Sequence, residues 1–135
     1  MQLPIVTGLY AGLLGIFLCV LTAQVGILRG KLGISLYDGG NKQLGLTIRR
    51  QGNLTEQAPV ALIVIALVEM GGAPIWAIHA MGGVFLVARL IHPFGLDPDR
   101  HATPIRAVSA LATTVVIVVA SAWIIYRFFV THGAA

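Results

Sequence analysis

Four long apolar segments dominate the sequence and leave little room for any structure other than membrane-spanning helices. Of the 135 residues, 57% are hydrophobic and only 10% are charged, whereas a soluble domain typically carries about 25% charged residues. Because each span needs about 20 residues of helix, the chain accommodates four spans and no soluble domain. We therefore predict an all-α integral membrane protein, a four-helix bundle forming one domain over residues 1–135. The predicted helices cover residues 3–28, 45–70, 74–92 and 104–129.

The second apolar segment is too short to span the membrane by its unbroken run alone. The run over residues 58–68 has 11 residues, about 16 Å of helix at about 1.5 Å per residue. The helix must therefore extend about two turns towards the N-terminus, and those turns carry Arg49, Asn53 and Glu56. At spacings of i, i+4 and i+7 the three side chains share one helix face. Polar residues at membrane depth are costly, face the protein interior and are functional candidates.

A plainer interpretation of the same stretch is that the helix begins near Asn53, which would act as a cap. The preceding arginines would then anchor the chain at the cytoplasmic surface. Spacing alone does not decide between the two interpretations.

The basic residues predict the orientation of the chain. The connection between the first two helices is the most basic, with Arg29, Lys31, Lys42, Arg49 and Arg50, and the next short turn carries none. The connection between helices three and four carries Arg100, with Arg89 and Arg106 at its margins. The positive-inside rule then places both basic loops in the cytoplasm and both termini outside. The net charge of +4 is thus a topology signal, and we expect no nucleic-acid partner.

This orientation brings three further candidates to the same end as Glu56. Arg89 and His92 share a face of helix three at i and i+3, and Arg106 lies in the first turns of helix four. Because the arginines at this end outnumber Glu56, they indicate an anionic ligand with several carboxylates or a phosphate. Snorkelling to lipid headgroups is the alternative, but it suits Arg89 least, because Arg89 lies inside an apolar run. We predict that Arg89 pairs with Glu56, and we expect no metal site.

The ordered set of these motifs resembles the MAPEG family, the membrane-associated proteins of eicosanoid and glutathione metabolism. The pattern Arg-x-x-x-Asn-x-x-Glu opens helix two, here as Arg49, Asn53 and Glu56, with Pro59 and an aliphatic run after it. Three further stretches resemble the end of helix one, the end of helix three and the start of helix four, and they are Gln24-Val25 with Arg29, Arg89-Leu90-Ile91-His92 and Pro104-Ile105-Arg106. Together the motifs cover nearly the whole chain.

The resemblance implies a homotrimer with glutathione as co-substrate, bound between adjacent subunits at a site that opens to the cytoplasm. Arg106 would be the catalytic residue facing the thiol, and Glu56 would take the amine of the peptide. Arg29 would reach in from a neighbouring subunit. The implied glutathione-binding residues are Arg29, Arg49, Asn53, Glu56 and His92. The implied function is a membrane-bound glutathione transferase or peroxidase, whose thiolate attacks lipophilic electrophiles or hydroperoxides that enter from the lipid.

Two positions depart from the family pattern. Synthases of the family often carry a tyrosine one turn after His92, where this chain has Leu96, with Phe94 nearby. Gly52 stands where some members place another basic residue. Since the family includes a non-catalytic lipid-binding member, a non-enzymatic lipid-binding or scaffold protein on the same fold is the alternative function. A channel or transporter is a third possibility, but the short chain has no broken helices and no internal repeat.

Overall fold

The computed structural model describes residues 3–97 and 103–132, and in these ranges it contains four long α-helices and no strand. The helices are α1 (Ile5–Leu32), α2 (Lys42–Met70), α3 (Ile75–Ile91) and α4 (Pro104–His132), and a 3-10 helix over His92–Gly95 continues α3. All four are long and apolar enough to cross a membrane. The predicted class, an all-α bundle of four spanning helices, is confirmed. Arg100, counted above among the basic loop residues, lies outside the described residues.

Local capping signals explain where the observed helices differ from the predicted ones. α1 continues to Leu32, four residues beyond the prediction, and ends at Gly33, which adopts a left-handed conformation with φ of 66°. Glycine is favoured there because it has no Cβ. α2 begins three residues early, because the side chain of Asn41 accepts a hydrogen bond from the backbone N–H of Leu44 at 3.0 Å and so caps the helix. Pro74 stands immediately before α3, so this helix begins one residue later than predicted.

Consecutive helices run antiparallel, so the bundle has two distinct ends. One end, called here the turn end, holds the tight turn over residues 71–74, and Gly71 in this turn packs against Trp123 of α4. The opposite end, called the loop end, holds the connection over residues 33–41 and the 3-10 helix. There Gly95 packs against the backbone of Arg106 at the start of α4. The candidate residues from the sequence all belong to the loop end.

The interior between the two ends is apolar. Each helix contributes buried side chains to one cluster, namely Leu14, Leu21, Leu54, Ala61, Ile65, Val68, Ile78, Phe85, Val116 and Ala120. Large apolar side chains such as Ile16, Val118 and Phe129 face outward, where in water they would be unfavourable. Because hydrocarbon is the solvent that matches these outer faces, the described chain is a multi-pass integral membrane protein.

Glu69 makes the main polar contact at the turn end. Its carboxylate accepts hydrogen bonds from the backbone N–H of Val6 at 2.9 Å, the backbone N–H of Thr7 at 2.8 Å and the Thr7 hydroxyl at 2.6 Å. The first N–H groups of any helix have no partner within the helix. Glu69, near the end of α2, therefore caps the start of α1, and its negative charge suits the positive end of the helix dipole.

Candidate functional site

An open groove at the loop end lies between the end of α1, the connection over residues 33–41 and the first turns of α2. It has a volume of about 480 Å³ and carries four charged residues, Arg29, Asp38, Arg49 and Glu56, beside Tyr37, Gly45, Ile48 and Gly52. Because α2 starts at Lys42, Asn53 lies well inside the helix. The plainer interpretation, in which Asn53 is a cap, is therefore wrong, and the helical face that carries Arg49 and Glu56 borders this groove.

The Arg49 and Glu56 side chains pair across two turns of α2. Nη1 of Arg49 lies 2.8 Å from Oε1 of Glu56, and the side chains are 58% and 51% exposed. Asn53, one turn along from Arg49, donates from Nδ2 to the Arg49 carbonyl oxygen at 2.9 Å. An exposed ion pair of this kind contributes little to stability. Both charged groups are therefore accessible to a ligand that carries opposite charges of its own.

Arg29 belongs to the same groove within a single chain. Its Nη1 donates to the carbonyl oxygen of Ser35 at 3.1 Å, and this contact holds the connection between α1 and α2 against the end of α1. The structure thus brings Arg29, Arg49 and Glu56 together without a neighbouring subunit. That Arg29 reaches into the site of another subunit stays a prediction.

The predicted ion pair between Arg89 and Glu56 is wrong. Arg89 is only 3% exposed, and its Nη2 donates to the carbonyl oxygen of Ser109 on α4 at 3.1 Å. Its guanidinium carbon lies 5.9 Å from the centre of the Phe85 ring. Arg89 therefore faces α4 and the bundle interior. Glu56 faces the groove instead and pairs there with Arg49 of the same helix.

His92 lies beside Arg89 in the interior of the loop end. It is 5% exposed, and its Nδ1 lies 2.8 Å from the Ser109 hydroxyl. The positive charges of Arg89, Arg106 and Arg49 all act on the His92 imidazole. The predicted residues thus form one positively charged region, although Arg89 and His92 line a smaller cavity separate from the groove.

Arg106 stands at the exposed start of α4, and its backbone is tightly held. The backbone N–H of Arg106 donates to the Thr103 hydroxyl oxygen at 3.2 Å, and that hydroxyl donates to the carbonyl oxygen of Gly95. A Cβ at Gly95 would lie 2.5 Å from the backbone nitrogen of Arg106, far inside normal contact. Only glycine therefore fits between the 3-10 helix and α4. Arg106 is not among the residues that line the groove.

Tyr37 and Asp38 also line the groove, and the sequence patterns used above did not identify them. Tyr37 has a φ of 52°, in a left-handed region that non-glycine residues rarely adopt, so this connection has a defined shape. Asp38 adds a second carboxylate to the groove. The available signal was the position of Tyr37-Asp38 between the basic end of α1 and Arg49.

Comparison with known proteins agrees with this architecture. The sequence model of the MAPEG family matches residues 7–126, which include nearly all of the four helices and all of the candidate residues. The chain is 37% identical over 90 residues to the inner membrane protein YecN of Escherichia coli strain K12, over 67% of this chain and 69% of that protein. YecN of Escherichia coli O6:H1 matches to the same extent. The four spanning helices, the ordered polar motifs and these matches lead to one conclusion, that the chain belongs to the MAPEG family.

Proposed function

We propose that the protein is a membrane-bound glutathione transferase or peroxidase that binds glutathione at the loop end. The observation that carries the proposal is the charge pattern of the loop-end groove in a chain of this family. At neutral pH glutathione carries two carboxylates and one ammonium group. Arg29 and Arg49 are suited to the carboxylates through charge-assisted hydrogen bonds, and Glu56 is suited to the ammonium.

In this proposal the ligand replaces the ion pair between Arg49 and Glu56 with ion pairs of its own. Each side chain is more than half exposed and is paired only with the other among the contacts described. A ligand carboxylate on Arg49 and a ligand ammonium on Glu56 would replace one exposed ion pair by two. In this proposal Asn53 and His92, which line the separate smaller cavity, add hydrogen bonds to the part of the ligand that extends beyond the groove.

Arg106 is the residue we propose for activation of the thiol. A free thiol has a pKa of about 8.5, so it is mostly protonated at neutral pH, and a cation within about 4–6 Å lowers the pKa of an acid by about 1–3 units. The thiolate attacks an electrophilic carbon, forms the carbon–sulfur bond and expels the leaving group with its electron pair. With a hydroperoxide it attacks the terminal oxygen and releases an alcohol. A second glutathione then reduces the resulting sulfenic acid, which gives glutathione disulfide and water.

Two further features of the proposal rest on the family resemblance and on the basic loops. We place the loop end at the cytoplasmic side of the membrane, where glutathione is dissolved, and we propose a homotrimer as the assembled form. Labelling of single cysteines in the connection over residues 33–41, in intact and in opened cells, tests the sidedness. The mass of the detergent-solubilised particle tests the oligomeric state.

The experiment that tests the function combines glutathione binding with turnover on the purified protein in detergent. We expect glutathione to raise the melting temperature, and we expect glutathione-dependent turnover with aryl halides or lipid hydroperoxides. Arg49→Ala should weaken both signals. Arg127→Ala is the matched control, since Arg127 is an arginine of α4 that packs over Trp123 at the turn end. Absence of both signals in the parent protein would rule the proposal out.

One observation favours the second candidate, a non-enzymatic lipid-binding protein. At the position where synthases of the family often have a tyrosine, Leu96 is buried and offers no hydroxyl to a thiol. Fatty-acid binding together with a melting temperature that does not respond to millimolar glutathione would favour this candidate. A clear glutathione response would exclude it.

A further inference from the structure

A second cavity lies beside the groove, on the neighbouring face of α2. Its volume is about 110 Å³, and its polar lining comes from three helices and the 3-10 helix: Asn53 and Gln57 of α2, Arg89 of α3 with His92 after it, and Thr113 and Thr114 of α4. The other outward crevices, such as the one between Val84 of α3 and Val108 of α4, are lined mainly by apolar residues. A small polar cavity among apolar helices needs a specific occupant.

The cavity contains a buried positive charge with no acidic partner among the described residues. The structure gives Arg89 one hydrogen bond, from Nη2 to the Ser109 carbonyl oxygen, and its buried Nε has no hydrogen-bond partner there. Glu56, the carboxylate predicted to pair with it, is engaged by Arg49 in the groove. A buried charge is costly unless it is paired and hydrogen-bonded. The Nε–H of Arg89 is thus a donor that requires an acceptor.

His92 supplies a second atom without a partner. Its Nε2 is buried and has no hydrogen-bond partner among the described residues, while its Nδ1 contacts the Ser109 hydroxyl at 2.8 Å. That hydroxyl has a single proton, which it gives either to Nδ1 or to the carbonyl oxygen of Arg106, 3.1 Å away. When the proton goes to Nδ1, a neutral His92 carries its own proton on Nε2. Arg89 and His92, which both line the cavity, then carry two N–H donors without a partner among the described residues, one of them charged.

We propose that this cavity binds a small anionic group, held by the Nε–H of Arg89 and the Nε2–H of His92, with the amide of Gln57 as a further donor. The positive charges of Arg49 and Arg106 reach the same region and favour a negative occupant. The volume suits a halide or a single carboxylate and is far too small for a whole tripeptide. The anionic group has two possible sources, a free inorganic anion or one carboxylate of glutathione. Only the second source rests on the function proposed above.

The test measures the melting temperature of the detergent-solubilised protein at constant ionic strength while chloride replaces a bulky organic anion. We expect a rise of about 3–6 °C when chloride exceeds its Kd about tenfold, growing with the logarithm of the chloride concentration above that, and the same response to bromide and to formate. Arg89→Gln should abolish the rise. A response that follows ionic strength alone, or one that is equal in the parent and in Arg89→Gln, would overturn the proposal.

Because Arg89 is buried, a second variant tests the proposal independently of how well Arg89→Gln folds. Gln57 lines the cavity and is only half-buried, so Gln57→Leu removes a donor and reduces the volume without exposing a buried charge. We expect it to weaken the apparent affinity for chloride by about tenfold. The matched control is Gln24→Leu, a glutamine of α1 that faces outward and should leave the chloride response unchanged. An unchanged response in Gln57→Leu would contradict the proposal.

Glutathione distinguishes the two sources of the anionic group. If a carboxylate of glutathione occupies the cavity, chloride should compete with it and raise the apparent Kd for glutathione. If a free anion occupies the cavity, chloride and glutathione should stabilise the protein additively. The chloride response is measured without glutathione, so a failure of the proposed enzymatic function would leave it intact.

Discussion

The turn end and the loop end of this bundle both contain buried polar side chains, but they differ in how those side chains are satisfied. At the turn end the carboxylate of Glu69 accepts three hydrogen bonds, all from Val6 and Thr7 at the start of α1. At the loop end Arg89 and His92 are equally buried, yet each keeps one buried nitrogen without a partner among the described residues.

The difference distinguishes the structural role of Glu69 from the binding role proposed for Arg89 and His92. A buried polar group that is fully paired fixes the position of its helix and has nothing left for a ligand. One that is incompletely paired raises the free energy of the folded protein until something binds it. The contrast also holds for the carboxylates alone, because Glu69 is buried and caps α1, whereas Glu56 is exposed and pairs with the exposed Arg49. The following predictions test this contrast, from the largest expected effect to the smallest.

Removal of the Glu69 carboxylate should give the largest loss of stability. Glu69→Ala leaves two backbone N–H groups and one hydroxyl of α1 without their acceptor, and each buried unsatisfied donor costs about 1–3 kcal/mol. We expect the free energy of unfolding to fall by about 3 kcal/mol, measured by denaturant unfolding in detergent. Glu69→Gln keeps one acceptor oxygen and should lose about half as much. A loss below that of Glu56→Ala would contradict the assignment of Glu69 as a structural cap.

Removal of Arg106 should give the largest loss of turnover. Arg106→Ala deletes the cation proposed to stabilise the thiolate, so we expect turnover to fall by about 100-fold, which is about 2.7 kcal/mol at about 1.36 kcal/mol per factor of ten. Glutathione affinity should fall much less, because the lost interaction is with the ionised sulfur. Ultraviolet difference absorbance of the thiolate on mixing checks the mechanism. Equal thiolate signal and equal turnover in the variant and the parent would mean that Arg106 only helps to set the orientation of the chain in the membrane.

Gly95 should act on turnover through the position of Arg106. In Gly95→Ala the new Cβ would stand 2.5 Å from the backbone nitrogen and 3.0 Å from the Cα of Arg106, so the start of α4 has to move. We expect about a tenfold loss of turnover, or about 1.4 kcal/mol, with glutathione affinity less affected. Gly26→Ala is the control, because no heavy atom lies within 4 Å of its new Cβ. Equal losses in the two variants would exclude a positioning role for Gly95.

The exposed carboxylate of the loop end should matter least to stability. Glu56→Ala removes one ion pair with Arg49, and exposed ion pairs contribute about 0–1 kcal/mol. We expect the free energy of unfolding to change by less than about 1 kcal/mol, while glutathione binding measured by calorimetry weakens clearly. A change as large as that of Glu69→Ala would mean that the two carboxylates do not differ in role.

The sequence predicted the helices and the common face of Arg49 and Glu56 because both are local properties of the chain. Apolar runs indicate spans, and a spacing of seven residues places two side chains on one face whatever surrounds them. The partner of Arg89 could not be predicted in this way. Its spacing to His92 defines a face of α3, but not whether that face is turned towards α2 or α4. The contact of Glu69 with Thr7 joins residues 62 positions apart, and no local pattern indicates such a pair.

α3 is much shorter than α2, and this difference affects how the loop end lies relative to the membrane. α3 has 17 residues and α2 has 29, or about 26 Å and 44 Å of helix. The end of α2 and the start of α3 lie side by side at the tight turn. Even with the 3-10 helix added, at about 2 Å per residue, α3 stops about 10 Å short of the beginning of α2. At the loop end the first two turns of α2 therefore extend beyond the end of the 3-10 helix. Together α3 and the 3-10 helix measure about 34 Å, close to the roughly 30 Å thickness of a hydrocarbon core. The first two turns of α2 would then project into water, so a water-soluble thiol bound beside them would meet a lipid-dissolved electrophile at the membrane surface.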